Sequence, residues 1–313
     1  MRVWLTGGTG FVGSNIVRTA LGHGHDVTTT VHSFPSSASV AYATERLDMV
    51  DGDAVRASIV RNAPDVVIHC AILNDFGRLY SDRRAGWDAY VNSTRSVATA
   101  ARDAGAAFVL VSTDWVFDGT QANADESTPP NPINLYGVLK VASEMVALEH
   151  GGAVARVSGV NGLHYARNDP PRQQDLGFGY FVAAVVDALR RGDTFTVWEA
   201  DDINMVATPS LASECAELIL QIGEERHTGV FHCCGAEAVG RFELARRACR
   251  VFGLDESRLR TGPPDAASMP GVPIPYDTSI SLPRTAEMLR HRPSPLTELL
   301  ERFRAERELA EVP

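Results

Sequence analysis

The sequence lacks the marks of several large protein classes. Its five cysteines, Cys70, Cys215, Cys233, Cys234 and Cys249, include no C-x-x-C pair and no histidine at ligand spacing, so neither a metal nor a disulfide framework is expected. No apolar run approaches the roughly 20 residues that span a bilayer. No basic-then-apolar leader precedes the first predicted strand, so the expected compartment is the cytoplasm and no membrane is an expected partner. Positive charge is in deficit. A net charge of -10 argues against a nucleic-acid partner, and leaves any pocket for a phosphorylated ligand to a few arginines. There is no internal repeat. What remains is ordinary globular usage over 313 residues, 44% hydrophobic and 22% charged, enough for one large α/β domain with a lobe attached.

The N-terminus carries the first positive signal. Residues 2–5 (RVWL) read as a short buried strand running into TGGTGFVGSNIVRTAL, a glycine-rich turn followed by an apolar-periodic helix. Gly7, Gly10 and Gly13 form G-x-x-G-x-x-G, with Phe11 and Val12 inside the turn. The first glycine permits a tight turn, the second lets a pyrophosphate approach the backbone, and the third lets helix and strand pack closely. Helix N-terminal amides then face the phosphates. Three glycines alone are an ordinary turn; the strand-turn-helix context makes them a dinucleotide cradle.

A second signal lies in NLYGVLKVASE, where Tyr136 and Lys140 stand one helical turn apart and share a helix face. A tyrosine with a pKa of about 10 is a poor acid unless a cation stabilises its phenolate. Lys140 is placed to do that, and Thr113, closing the predicted strand of VSTDWVFDG, to hold an oxygen beside the phenol. Y-x-x-x-K by itself also fits two surface residues on an amphipathic helix. Around these motifs strands alternate with helices, predicting a doubly wound parallel sheet of Rossmann type with a smaller C-terminal substrate-binding lobe. Strands are predicted near 27–31, 46–48, 65–69, 108–112, 153–157, 195–198 and 230–233. Helices are predicted near 12–21, 51–61, 87–104, 135–150, 180–191, 211–222 and 296–304. Residues 1–160, rejoined by 201–235, form the expected nucleotide domain, and 161–200 with 236–313 the lobe. The Gly- and Pro-rich stretch from Gly162 to Gly179 reads as a long loop or lid facing substrate.

With GGTGFVG, PDVVIHCA, VSTDWVFDG, NPINLYGVLKVASE and GVFHCCG assembled, the chain resembles the extended short-chain dehydrogenase/reductase family, in its dTDP-4-dehydrorhamnose reductase branch. The resemblance implies that Tyr136 is the catalytic acid/base, that Lys140 lowers its pKa and binds the nicotinamide ribose, and that Thr113 orients the reacting oxygen. It implies cofactor contacts from Asp48 to the adenine amino group with Met49 beside it, from Cys70, Ala71 and Ile72 along the cofactor, and from Asn92. The implied reaction is reduction of a ketone, most simply a 4-keto-6-deoxy sugar nucleotide. Sister dehydratases carry a glutamate where this chain has Trp115, which disfavours dehydration and leaves Asp114 and Trp115 on the substrate side. A homodimer is expected through pairing of the Tyr136 helix and the helix before the fifth strand. A reductase of a non-nucleotide ketone, an epimerase or oxidative dehydrogenase, and a regulatory subunit like the methionine adenosyltransferase β subunit remain alternatives.

Cofactor choice turns on the end of the second strand. An acid about 18 to 20 residues after the last glycine favours NAD by binding the ribose 2′-hydroxyl. Val31, His32 and Ser33 stand there instead, so the expectation leans to NADP over NAD, with His32 and Ser33 as candidate donors. The family's Arg-Pro pair before D-T-S is replaced in VPIPYDTS, although Asp277, Thr278 and Ser279 match. Arg172, Arg167 and Arg284 are therefore the candidate diphosphate anchors, since arginine forks bind phosphate bidentately.

Overall fold

The computed structural model describes residues 1–31, 42–73, 75–167, 174–269 and 271–310. His32, Ser33 and Arg172 lie outside the described residues. Seven parallel strands form the central sheet: β1 (Arg2–Thr6), β2 (Asp26–Val31), β3 (Ala43–Arg46), β4 (Val66–His69), β5 (Ala107–Thr113), β6 (Ala153–Val157) and β7 (Gly229–Cys233). Their spatial order is β7-β6-β5-β4-β1-β2-β3. The chain moves outward from β1 to β3 and then crosses back to β4, so a crevice opens between the carboxyl ends of β1 and β4. Thr6 and His69 are register partners at that point. The inner strands are buried on both faces, as their continuous runs VWL, VVIH and FVLVS require.

Helices cover both faces. α1 (Phe11–Gly22) and α6 (Ala212–Glu224) lie over one apolar cluster that includes Leu5, Ile16, Ile68, Val109 and Ile219. α2 (Gly52–Asn62), α3 (Ser93–Asp103) and α4 (Leu135–Glu149) contribute Val55, Ile59, Val97 and Ala147 to packing on the other. A separate cluster joins α5 (Phe181–Arg190), α7 (Arg241–Phe252) and α8 (Leu296–Ala310) through Phe181, Val185, Leu244, Leu300 and Phe303.

Several elements differ from the sequence reading, which also left Phe76–Ser81, Leu259–Gly262 and Pro283–Met288 without an assignment. β3 runs over Ala43–Arg46 and not 46–48, and it stops short of Asp48 because Asp48 and Asp51 turn the chain into α2. The Asp51 amide donates to the Asp48 carbonyl, and the Asp51 side chain caps the helix through the Ala54 amide. The helix expected over 87–104 is a succession of Arg83–Trp87, a π turn at Asp88–Asn92, and α3. α7 was not anticipated, since its buried face is mostly small (Leu244, Ala245, Ala248, Cys249) and interrupted by arginines. α8 continues to Ala310, beyond 304.

Gly13 shows why α1 can start where it does. A Cβ there would lie 2.1 Å from the Gly7 carbonyl oxygen, inside the turn itself. Gly13→Ala is expected to lower stability by roughly 1–3 kcal/mol in urea denaturation through overpacking, with loss of dinucleotide binding.

Candidate active site

At the crevice, Gly7 takes φ +73, and a Cβ on it would meet the Ala71 backbone nitrogen at 3.0 Å. Only glycine gives both the turn and this approach of β1 to the residues after β4. Gly8, which the sequence reading passed over, is as constrained: its Cβ would fall 2.0 Å from Thr29 Oγ1. The Gly10 amide closes the turn on the Gly7 carbonyl at 2.9 Å. Gly10 caps α1 with no side-chain hydrogen bond, and the first helical turn holds no acid. Its leading amides are therefore open to an anion, and the cradle fits a pyrophosphate. Val12 packs toward the core, while the Phe11 ring stacks on Tyr180 with centroids 4.1 Å apart. What Phe11 offers a nucleotide is its backbone.

Thr6, also missed, joins the two strand ends. Its hydroxyl accepts the Cys70 and Ala71 amides, both at 3.0 Å, and so donates to His69 Nδ1 at 2.7 Å. Burial pulls His69 down to about 3 and pushes the Cys70 thiol up to about 12, so both are uncharged. Ala71 is half-buried and Ile72 exposed. Asp48 is exposed, with Oδ1 accepting the Val50 amide, and Met49 packs against the core. Asn92 is engaged within its own helix, donating to Asp88 at 2.6 Å and accepting from Arg95 at 3.2 Å, not with the cradle.

Tyr136 sits in the first turn of α4, whose N-cap Asn134 accepts the Gly137 amide. Its ring meets Tyr90, from the π turn, and Trp115 edge-on, each at 6.0 Å. The phenol pKa is pushed up to about 12, by burial first, with a Thr113 hydrogen bond opposing and the Asp114 charge adding. Lys140, expected to lower it, stands one turn further along α4. The Lys140 ammonium instead donates to the Val111 carbonyl at 2.6 Å, and burial brings its own pKa down to about 8 against the pull of Glu144. At neutral pH the pair is a phenol and an ammonium, the forms a proton donor and its cationic partner require.

Asp114 is buried at the end of β5. Its carboxylate accepts Thr113 Oγ1 at 3.1 Å, Ser158 Oγ at 2.8 Å and Thr278 Oγ1 at 2.6 Å. Burial nonetheless raises its pKa to about 6, the three hydroxyls opposing. Asp114 thus ties β5 to the start of the long loop after β6 and to the D-T-S element. Trp115 is the more open neighbour, with the loop residue Gly177 against its ring. The buried Arg241 holds residues 175–177, its guanidinium donating to the carbonyls of Asn204, Asp175 and Gly177. Arg284 is removed from the anchor candidates: it donates to the Val230 and Thr228 carbonyls at the opposite, amino end of β7 and lies over the Phe231 ring.

The RmlD substrate binding domain family matches residues 1–303. The chain belongs to the RmlD family. It is an oxidoreductase of the extended short-chain dehydrogenase/reductase type. A dTDP-4-keto-6-deoxy-D-glucose reductase of Streptomyces niveus is 29% identical over 84% of this chain and 83% of its own. Methionine adenosyltransferase 2 subunit beta of Xenopus tropicalis is 28% identical over 69% of this chain and 63% of its own, so the chain spans less than two thirds of that relative. Among solved structures, a hypothetical dTDP-4-dehydrorhamnose reductase from Sulfolobus tokodaii has 27% identity and a TM-score of 0.75, over 94% of this chain and 97% of that one. A Bacillus anthracis dTDP-4-dehydrorhamnose reductase in complex with NADP has 21% identity and a TM-score of 0.75, over 97% and 99%.

One signal in this RmlD-family chain lies in its composition. Of 29 basic residues 28 are arginine, and Lys140 is the only lysine. Arginine cannot give up its proton near neutral pH and lysine can, so the single ammonium stands where a compact, titratable cation is needed. Thr278→Val removes one donor from Asp114 at constant shape. Stability should fall by about 1–3 kcal/mol at pH 8, and the loss should shrink below pH 6, where the carboxyl is protonated and needs fewer donors. Urea denaturation at pH 8 and 5 checks this.

Proposed function

We propose that the chain reduces the 4-keto group of a 4-keto-6-deoxy sugar nucleotide with NADPH, Tyr136 donating the proton. The observation that carries this reading is the meeting of a protonated Tyr136, Thr113 and a buried Lys140 at the end of β5, in a chain whose β1–α1 turn fits a dinucleotide. The reductase of Streptomyces niveus supports the substrate class, and the NADP complex from Bacillus anthracis the cofactor. Gly7, Gly10 and Gly13 would hold the pyrophosphate, and Cys70, Ala71 and Ile72 would flank the nicotinamide side. Bound there, the cofactor supplies a hydride for the carbonyl carbon.

The protein's part is placement and the proton. Thr113 holds the ketone oxygen beside the Tyr136 hydroxyl, which gives its proton to that oxygen as charge develops. Lys140 offsets the phenolate that remains and binds the cofactor ribose. Trp115 and the loop at Gly177 close the substrate side, keeping water from the reacting carbon. Residues 161–200 and 236–313 form the substrate lobe in this proposal. Val138, Met145 and Leu148, exposed on α4, are the face through which a homodimer would form. Among the described residues no helix is long and apolar enough to cross a membrane.

Absorbance at the NADPH band with dTDP-4-keto-6-deoxyglucose tests the reading. Turnover is expected, with kcat down by roughly 10²–10⁴ in Tyr136→Phe while NADPH fluorescence titration changes little. Cofactor binding without turnover of any ketone, or full activity in Tyr136→Phe, would sink it. Turnover should also decline as pH rises above about 8, where Lys140 of the free protein loses its proton; an activity that keeps rising to pH 10 contradicts that role.

A further inference from the structure

Behind the catalytic pair a polar row crosses three strands in the interior. Ser112, Arg156 and His232 are register partners on β5, β6 and β7. Glu144, one turn beyond Lys140 on α4, reaches down to this row. Its Oε1 accepts Ser112 Oγ at 2.5 Å and Arg156 Nε at 3.0 Å, and its Oε2 accepts the Arg156 terminal nitrogen at 2.7 Å. Both members of the ion pair are 3% exposed. The row continues from Arg156 to His232 Nε2 at 3.4 Å, and His232 Nδ1 donates to the Ser281 carbonyl at 2.7 Å.

Stability gives no reason for such a pair. Two charges taken out of water are often replaced by apolar side chains without loss, whereas breaking the pair one-sidedly is costly. Its position suggests another use. α4 docks on consecutive residues of β5 through Lys140 to the Val111 carbonyl and Glu144 to the Ser112 hydroxyl. The groups acting on the ammonium are His69 at the end of β4, Cys70 just after it, and Glu144 from α4 itself. His69 is neutral and Cys70 a thiol, which leaves Glu144, ion-paired with Arg156, as the partner that pulls on the ammonium.

We propose that Glu144 is a positioning residue for the reduction: clamped by Ser112 and Arg156, its carboxylate keeps the buried Lys140 side chain charged and directed at the end of β5. This rests on the reductase reading. Burial works against the ammonium and Glu144 works for it, and the clamp prevents the carboxylate from swinging over to pair with Lys140 directly.

The single lysine makes the test direct. Lysine-selective isotope labelling gives one side-chain NMR signal, which titrates without cofactor or substrate. A wild-type midpoint near pH 8 is expected, falling by about one unit in Glu144→Gln and in the double variant Glu144→Gln/Arg156→Met, while Glu144→Asp keeps it near the wild-type value. The double variant leaves no orphaned guanidinium, and an unfolded chain would reveal itself by a midpoint near about 10.4. The pH limb of kcat/KM should move with the midpoint. A folded double variant with an unchanged Lys140 midpoint overturns the proposal and leaves the reductase reading intact; absence of turnover by the wild type overturns the latter alone.

Discussion

An ammonium taken out of water at the end of β5 has to be compensated, and much of the centre is arranged around that requirement. Burial displaces Lys140 from its ordinary value of 10.5 to about 8, a cost on the order of 3 kcal/mol for keeping it charged at neutral pH. The Val111 carbonyl, the Glu144 carboxylate and the choice of uncharged His69 and Cys70 as neighbours hold the cost at that level. An unpaired second cation nearby would drive the proton off. The opposite arrangement holds at Tyr136, where burial and the Asp114 charge favour the protonated form. One helix turn therefore separates a group kept charged from a group kept neutral.

The two strand-end nodes divide the remaining work. Thr6 joins β1 to the segment after β4 and shapes the floor on which a cofactor would lie. Asp114 joins β5 to Ser158 and Thr278, and so sets the C-terminal segment relative to Thr113. Arg241 does for residues 175–177 what Asp114 does for D-T-S, with carbonyls in place of hydroxyls. Each is a buried polar centre whose partners come from distant parts of the chain, which fixes their geometry more tightly than apolar packing would.

Local relationships were legible in the sequence and distant ones were not. G-x-x-G-x-x-G and Tyr136/Lys140 each fall within one turn-helix unit, where spacing alone dictates which atoms share a face. The inner strands were legible because parallel strands buried on both faces leave continuous apolar runs. Two of the three donors to Asp114 stand 44 and 164 residues away from it, and no local pattern connects them. Arg284 looked like a phosphate anchor until β7 placed it at the wrong end of the sheet. The π turn escaped because its one-residue irregularity leaves the apolar periodicity on either side nearly intact. The lone lysine was present in the composition from the start, and its meaning depends on the buried geometry around it.

That lone lysine has a consequence outside catalysis. The remaining surface cations are guanidinium groups, which do not acylate, glycate or form imines under conditions where a primary amine does. Apart from the α-amino group, the protein presents amine chemistry with one target, and that target is shielded by burial unless the crevice opens. Covalent capture of Lys140 would therefore report opening of the crevice directly, since the exposed α-amino group of Met1 is the one other amine and its product is told apart by peptide mapping.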